Sequence, residues 1–350
     1  MSGLESPPPA AAPPGIAVGP VSAWLSQALP ASVPPYSFER VIGGHSNLTY
    51  IVTDHDGGQW VLRRPPLGEL LPTAHDMNRE FRVLAALGPS LPVPPVVGLC
   101  RDESVTGAPF YVMDKVDGFV VRDEATATSL FSEGGRYRVG LAVADALAAI
   151  HAVVPSAVGL GDLGKPDDYI ARQLRRWKRQ VDQSKTRELP RLDGVLQQLW
   201  DHLPAQTSTS LVHGDFRLDN CLVGRDSSVR AVLDWELCTV GEPLADVGLL
   251  MVYWAEPGDE LRATADSPTA VPGFPSRSAM LERYAQTLGR SLPAIDFYIA
   301  FSYWRLACIT EGVLARYLKG EMGNQAGESA GFSDRVTMLV EAAERITRQW

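Results

Sequence analysis

The chain has 350 residues, 45% of them hydrophobic and 21% charged, with a formal net charge of −9. That length allows one large domain or two smaller ones with a sizeable core, and the composition is that of a globular protein. The acidic balance argues against a general nucleic-acid binder, which would carry a basic face.

The first twenty residues, MSGLESPPPAAAPPGIAVGP, have no basic start and are broken repeatedly by proline, so they do not read as a signal peptide. Such a composition buries little apolar surface, and residues 1–25 are expected to form a flexible Pro/Ala-rich tail. Period-two patterning follows. FERVIGG (38–44), LTYIVTD (48–54) and QWVLRRP (59–65) read as strands, the last two joined by the turn His55-Asp56-Gly57-Gly58. HDMNREFRVLAAL (75–87) places Met77, Phe81, Leu84 and Leu87 at helical spacing and stops at Gly88-Pro89. Two more strands, VVGLCRD (96–102) and PFYVMDKV (109–116), complete a region of strands around one helix.

Beyond Gly118 the pattern turns helical. VGLAVADALAAIHAVV (139–154) carries Asp145 and His151 and is too short to span a bilayer, so it reads as a core helix. YIARQLRRWKRQV (169–181) has one apolar stripe, Ile170, Leu174, Trp177 and Val181. Its RRWKR run suits either a solvated helix face or an anionic substrate. Further helices are expected near 191–203, 244–254, 276–289, 294–318 and 333–349, with a short strand at RAVLDWE (230–236). The expected division is a tail (1–25), a strand-rich region (26–116) and a helical region (117–350). The cysteines Cys100, Cys221, Cys238 and Cys308 lie far apart with no zinc-type spacing, and read as buried reduced thiols. A cytoplasmic protein without a membrane or nucleic-acid partner is expected.

One stretch stands out. LVHGDFRLDNCLV (211–223) carries ionisable and amide groups between short apolar runs, and buried charge is costly unless paired, bonded or set on a metal. Asp215 and Asn220 sit five positions apart, and Asp234 ends the next β segment. A hairpin of that length can bring three oxygen-bearing side chains together. Hard cations such as Mg²⁺ take oxygen ligands together with substrate phosphates, which suits Asn220 and Asp234. Asp215 is then left to accept a proton from an attacking hydroxyl. A satisfied polar loop and a metal-dependent hydrolase using His213, Asp215 and Asp234 are the rival readings. The hydrolase leaves the first half of the chain without a purpose.

HGDFRLDN followed by LDWE resembles the catalytic loop and metal-binding segment of the aminoglycoside phosphotransferase and choline kinase group of small-molecule kinases. VLRRPP and HGDFRLDN also resemble the kinase-like domains fused to acyl-CoA dehydrogenases. The resemblance implies an α+β, two-lobed protein-kinase-like fold, with a small N-terminal antiparallel sheet lobe and a large helical C-terminal lobe. It implies ATP or GTP and Mg²⁺, with Asp215 as catalytic base and Asn220 and Asp234 as metal ligands, His213 bracing the loop. GGHSNLTY then sits where such kinases cover the nucleotide phosphates, giving Gly43, Gly44, Ser46 and Asn47 a binding role. Arg63 stands where the family usually has lysine, with Glu80 as its partner, and Asp114 to Val116 offer backbone groups to the adenine. His151 lies 62 residues before His213, and no long activation segment follows Asp234, which separates this chain from protein kinases. The implied reaction is phosphoryl transfer to a hydroxyl of a small molecule. Aminoglycosides, amino alcohols, sugars and hydroxyacyl thioesters are the implied acceptor classes. A pseudokinase-type nucleotide-binding module is the non-catalytic alternative.

Overall fold

A computed structural model describes residues 13–41, 47–68, 75–264, 266–320 and 329–350. The chain divides into two compact units, one ending at Val116 and the other beginning at Asp117.

The first unit is built on a five-stranded antiparallel sheet of order β1-β2-β3-β5-β4, from Ser37–Arg40, Leu48–Thr53, Gln59–Arg64, Phe110–Asp114 and Val96–Cys100 respectively. Strand β2 alternates buried and half-buried positions, the signature of a strand with one face on a core. Helix α2 (Met77–Leu87) starts at Asp76, whose carboxylate accepts the N–H groups of Asn78 and Arg79. It buries Met77, Glu80, Val83, Leu84 and Leu87.

The sequence reading is corrected at the start of the chain. Within the stretch expected as tail, Val18–Ala28 forms helix α1, which buries Val21 and Leu25 one turn apart. Both join the core of Tyr50, Val52, Leu62, Phe110 and Val112. Trp24 meets Phe110 edge-on at 5.0 Å. Pro20 stands in the first helical turn, where a missing N–H costs nothing. Composition hid an i, i+4 apolar pair inside a proline-rich stretch. The buried Arg64 ties the same segment down through the carbonyls of Gly15 and Thr106. Residues 1–12 lie outside the described residues.

The second unit is mainly helical: α3 (Glu124–Leu130), α4 (Glu133–Ala152), α5 (Tyr169–Ser184), α6 (Pro190–Asp201), α7 (Leu244–Tyr253), α8 (Arg277–Leu288), α9 (Ile295–Leu318) and α10 (Ser329–Thr347). Helix α9 packs against α5, α7 and α10, and α4 packs against α8. Two small sheets sit among them. One pairs β7 (Ser210–Val212) with β10 (Thr239–Gly241), and the other orders β6 (Phe119–Val120), β8 (Cys221–Val223) and β9 (Val229–Val232) as β6-β8-β9. All four cysteines are free and buried. Among the described residues no helix is long and apolar enough to cross a membrane.

Candidate active site

Strand β7 runs straight into the polar stretch, and β8 and β9 carry the chain back to Asp234. The polar loop leaves β7, which pairs with β10, and enters β8, which pairs with β6 and β9, so it links the two small sheets. Gly214 has φ +86°, and a Cβ there would stand 3.0 Å from Leu237. Glycine is therefore required by both conformation and space. Asp234 adopts φ +66°, an uncommon backbone state for a side-chain-bearing residue.

Asp215 and Asn220 are brought together. The Asn220 amide donates to the Asp215 carbonyl at 2.7 Å and to its carboxylate at 3.1 Å. The Asn220 amide nitrogen is thereby committed to Asp215, which leaves its carbonyl oxygen as an acceptor for another group. Burial pushes the Asp215 carboxyl up, Arg217, His213 and Arg305 pull it back, and the nearby Asp234 charge adds to the rise. The Asp234 charge is thus near enough to be felt at Asp215. Arg217 lies 3.8 Å from Asp215 and 3.4 Å from Asp219, with its guanidinium 4.8 Å over the Tyr253 ring.

A buried carboxylate holds the loop. Asp246, on the first turn of α7, accepts the N–H groups of His213 at 2.6 Å and Gly214 at 2.9 Å. His151 reaches the same carboxylate at 3.3 Å, and its other nitrogen meets the Tyr284 hydroxyl at 2.7 Å. Burial alone would raise the Asp246 carboxyl; the His151 hydrogen bond and charge, the His213 charge and the Gly214 N–H outweigh it and hold it below the ordinary range. His213 accepts the Asp215 N–H on Nδ1 and so presents Nε2–H to the Leu233 carbonyl at 2.9 Å. It braces the loop between the two strands. From α9, Arg305 donates to the Gly214 carbonyl at 2.7 Å. Its position is invisible to local patterning; the one sign is a lone arginine inside the apolar run IDFYIAFSYWRLACIT (295–310), where a charge must find a partner.

The other predicted residues belong to the first unit. Gly43, Gly44 and Ser46 lie outside the described residues. Asn47 is buried, its side-chain oxygen 2.9 Å from His75 Nδ1. Arg63 on β3 and Glu80 on α2 form an ion pair at 3.3 Å, with Glu80 only 1% exposed. Asp114 ends β5 opposite Trp60, and its N–H is already given to the Pro95 carbonyl at 2.8 Å. Among these backbone groups, then, the Asp114 N–H is committed within the unit. Back in the second unit, a small solvent-open recess adjoins the loop, lined among others by Leu218, Asp219, Tyr253, Trp254, Arg122 and Asp266. Trp304 is spent on packing, its indole N–H on the Leu192 carbonyl at 3.2 Å.

Residues 37–298 match the family described as "Phosphotransferase enzyme family". The chain belongs to that family. Among solved structures, this phosphotransferase-family chain is similar to a putative aminoglycoside phosphotransferase from Ralstonia eutropha. The two share 33% identity with a TM-score of 0.78, over 93% of this chain and 98% of the other. A macrolide 2'-phosphotransferase from Brachybacterium faecium shares the fold at 19% identity and a TM-score of 0.56, covering 92% of this chain and 97% of its own. The kinase-like α+β fold, with a small antiparallel sheet unit and a larger helical one, is that of these phosphotransferases. Among curated proteins, acyl-CoA dehydrogenase family member 10 of Mus musculus is 39% identical over 295 residues, which are 82% of this chain and 27% of that protein. Family member 11 of Homo sapiens is 34% identical over 312 residues, 87% of this chain and 39% of that protein. This phosphotransferase-family chain thus spans well under half the length of either curated relative.

Proposed function

We propose that this protein is an ATP-dependent O-phosphotransferase that moves the γ-phosphate to a hydroxyl of a small molecule. The observation that carries the reading is the Asp215–Asn220 pair on a loop held by Asp246, with the Asp234 charge felt at Asp215. Asp215 orients the acceptor hydroxyl and takes its proton as the oxygen attacks. One O–P bond forms to the acceptor while the bond between the γ-phosphorus and the bridging oxygen breaks, and the nucleoside diphosphate leaves. The donor set fits Mg²⁺: Asn220 spends its amide nitrogen on Asp215 and keeps its carbonyl oxygen as a ligand, and Asp234 adds a carboxylate, both hard oxygen ligands. When bound, the ion neutralises phosphate charge. Arg63, held by Glu80, supplies a further positive charge to the phosphates, with bidentate geometry in place of the point charge of a lysine. Gly43, Gly44, Ser46 and Asn47 line the phosphates, and Asp114 to Val116 the base. Among solved structures of similar fold, one is a GDP complex and another a ternary complex with AMP-PNP and hygromycin B, so GTP is the alternative donor.

The identity to acyl-CoA dehydrogenase family members favours a second acceptor class, hydroxyacyl-CoA thioesters, beside aminoglycoside-like alcohols. Turnover of Mg-ATP by the purified protein, measured across both classes and with Asp215→Asn, tests the reading. One class should stimulate product formation, and the variant should lower kcat by about 10²–10⁴-fold. Nucleotide binding with no stimulated turnover would instead support a binding module.

A further inference from the structure

Arg217 is a cation set between two carboxylates of the polar loop, and phosphoryl transfer as proposed above does not employ it. Its Nε stands 3.8 Å from Asp215 Oδ2, and its Nη1 stands 3.4 Å from Asp219 Oδ2. The Nε is buried and makes no hydrogen bond, so its proton is unspent. The guanidinium lies 4.8 Å from the centre of the Tyr253 ring. Tyr253 is the last residue of α7, about two turns beyond Asp246 and so on the same helix face. One face of α7 therefore holds the loop twice, at His213 and Gly214 through Asp246 and at Arg217 through Tyr253. Asp219 and Tyr253 also line the recess beside the loop, so Arg217 is held by the wall of that recess.

The two oxygens of the candidate base are not equivalent. Asp215 Oδ2 accepts the Asn220 amide at 3.1 Å and is the oxygen that faces Arg217. Oδ1 makes no hydrogen bond among the described residues, and the side chain is 31% exposed. A carboxylate tied at one oxygen by an amide and a guanidinium resists rotation and offers the other oxygen to a ligand. Contacts of this kind are long in a free protein and tighten once the reactants are in place.

We propose that Arg217 is a positioning residue: held by Tyr253 and Asp219, it keeps Asp215 Oδ2 occupied, so that Oδ1 is the oxygen that takes the acceptor's proton. That proton moves to Oδ1 as the acceptor oxygen bonds to the γ-phosphorus and the bridging oxygen leaves with the diphosphate. The inference rests on the phosphotransferase reading and adds to it a residue that acts through the base.

The test is steady-state transfer from Mg-ATP by the full chain, with kanamycin A and 3-hydroxybutanoyl-CoA as acceptor probes. Arg217→Ala should lower kcat by about 10²-fold, the cost of a slightly misplaced reacting group, and leave KM for Mg-ATP within about two-fold. Methylguanidinium, added at a non-denaturing concentration, should restore part of the lost kcat. In an Asp215→Asn background the same substitution should cost nothing further, because a residue that works through the base has no effect without it. Arg217→Gln keeps the stem over Tyr253 and carries the same comparison should Arg217→Ala fail to fold. Mg-AMP-PNP should bind wild type and both Arg217 variants alike in titration calorimetry; binding weakened about ten-fold would assign the guanidinium to the nucleotide phosphates and overturn the proposal. Wild-type turnover that both Arg217 variants preserve, or a loss that persists in full beside Asp215→Asn, overturns it and leaves the phosphotransferase reading standing. No wild-type product with either probe overturns both.

Discussion

At the scale of single residues, the polar stretch is solved by assigning each group a partner. Asp246 takes two backbone N–H groups and an imidazole, and these bonds shape the loop that presents Asp215. Asp246→Ala leaves those donors buried and unanswered, and should lower the unfolding free energy by about 3–5 kcal/mol in a urea titration. Its pH signature has a definite sign. The folded carboxyl lies below its unfolded value, so its contribution is fully present above the unfolded pKa of about 4 and is lost as the pH falls through the folded one. Wild-type stability should therefore decline steeply below about pH 4, and the Asp246→Ala profile should be flatter there. An unchanged slope would show that the carboxylate is not held as described. The reading of His213 as a brace and of Arg63 with Glu80 as a pair came from the family resemblance of HGDFRLDN and VLRR, and the structure shows both contacts. Arg305 was not legible, since its bond to Gly214 spans 91 positions that only tertiary packing closes.

At the scale of elements, the strands and long helices were legible because their periods are clean. Helix α2 and β2 repeat apolar residues at the intervals their geometry demands, and the structure returns them within a residue or two at most ends. Helix α1 was read as tail because prolines and alanines dominate its surroundings, and a two-residue apolar stripe carries little signal. Packing restores it. Leu25 is fully buried against the sheet, so Leu25→Ala should cost about 2–5 kcal/mol, against near zero were the segment truly loose. A loss within about 0.5 kcal/mol of wild type would return the helix to the status of an appendage. The short strands β6, β7, β8 and β10 escape sequence patterning for a different reason. Two or three residues cannot show a period, and they are strands only because a partner strand lies beside them.

At the scale of the whole molecule, the division after Val116 separates a sheet unit carrying the Arg63–Glu80 pair from a helical unit carrying Asp215, Asn220 and Asp234. A nucleotide bound as proposed stabilises only the folded chain. Mg-ADP at a hundred-fold excess over its Kd should add roughly 2.7 kcal/mol and raise the melting midpoint, and a chelator should cancel most of the rise. Asp234→Ala should shrink the shift, while Asp215→Asn should leave it largely intact. A midpoint indifferent to Mg-ADP would remove nucleotide binding from the account.

The anchoring of the loop also bears on how such a protein changes over generations. The contacts that shape it come from α4 through His151, from α8 through Tyr284 and from α7 through Asp246. Helix α5, with its outward arginines, supplies none of these bonds. Substitutions on the exposed face of α5 can therefore accumulate while the loop keeps its shape, so that face can drift over generations and the loop and its three anchoring helices must change together or not at all.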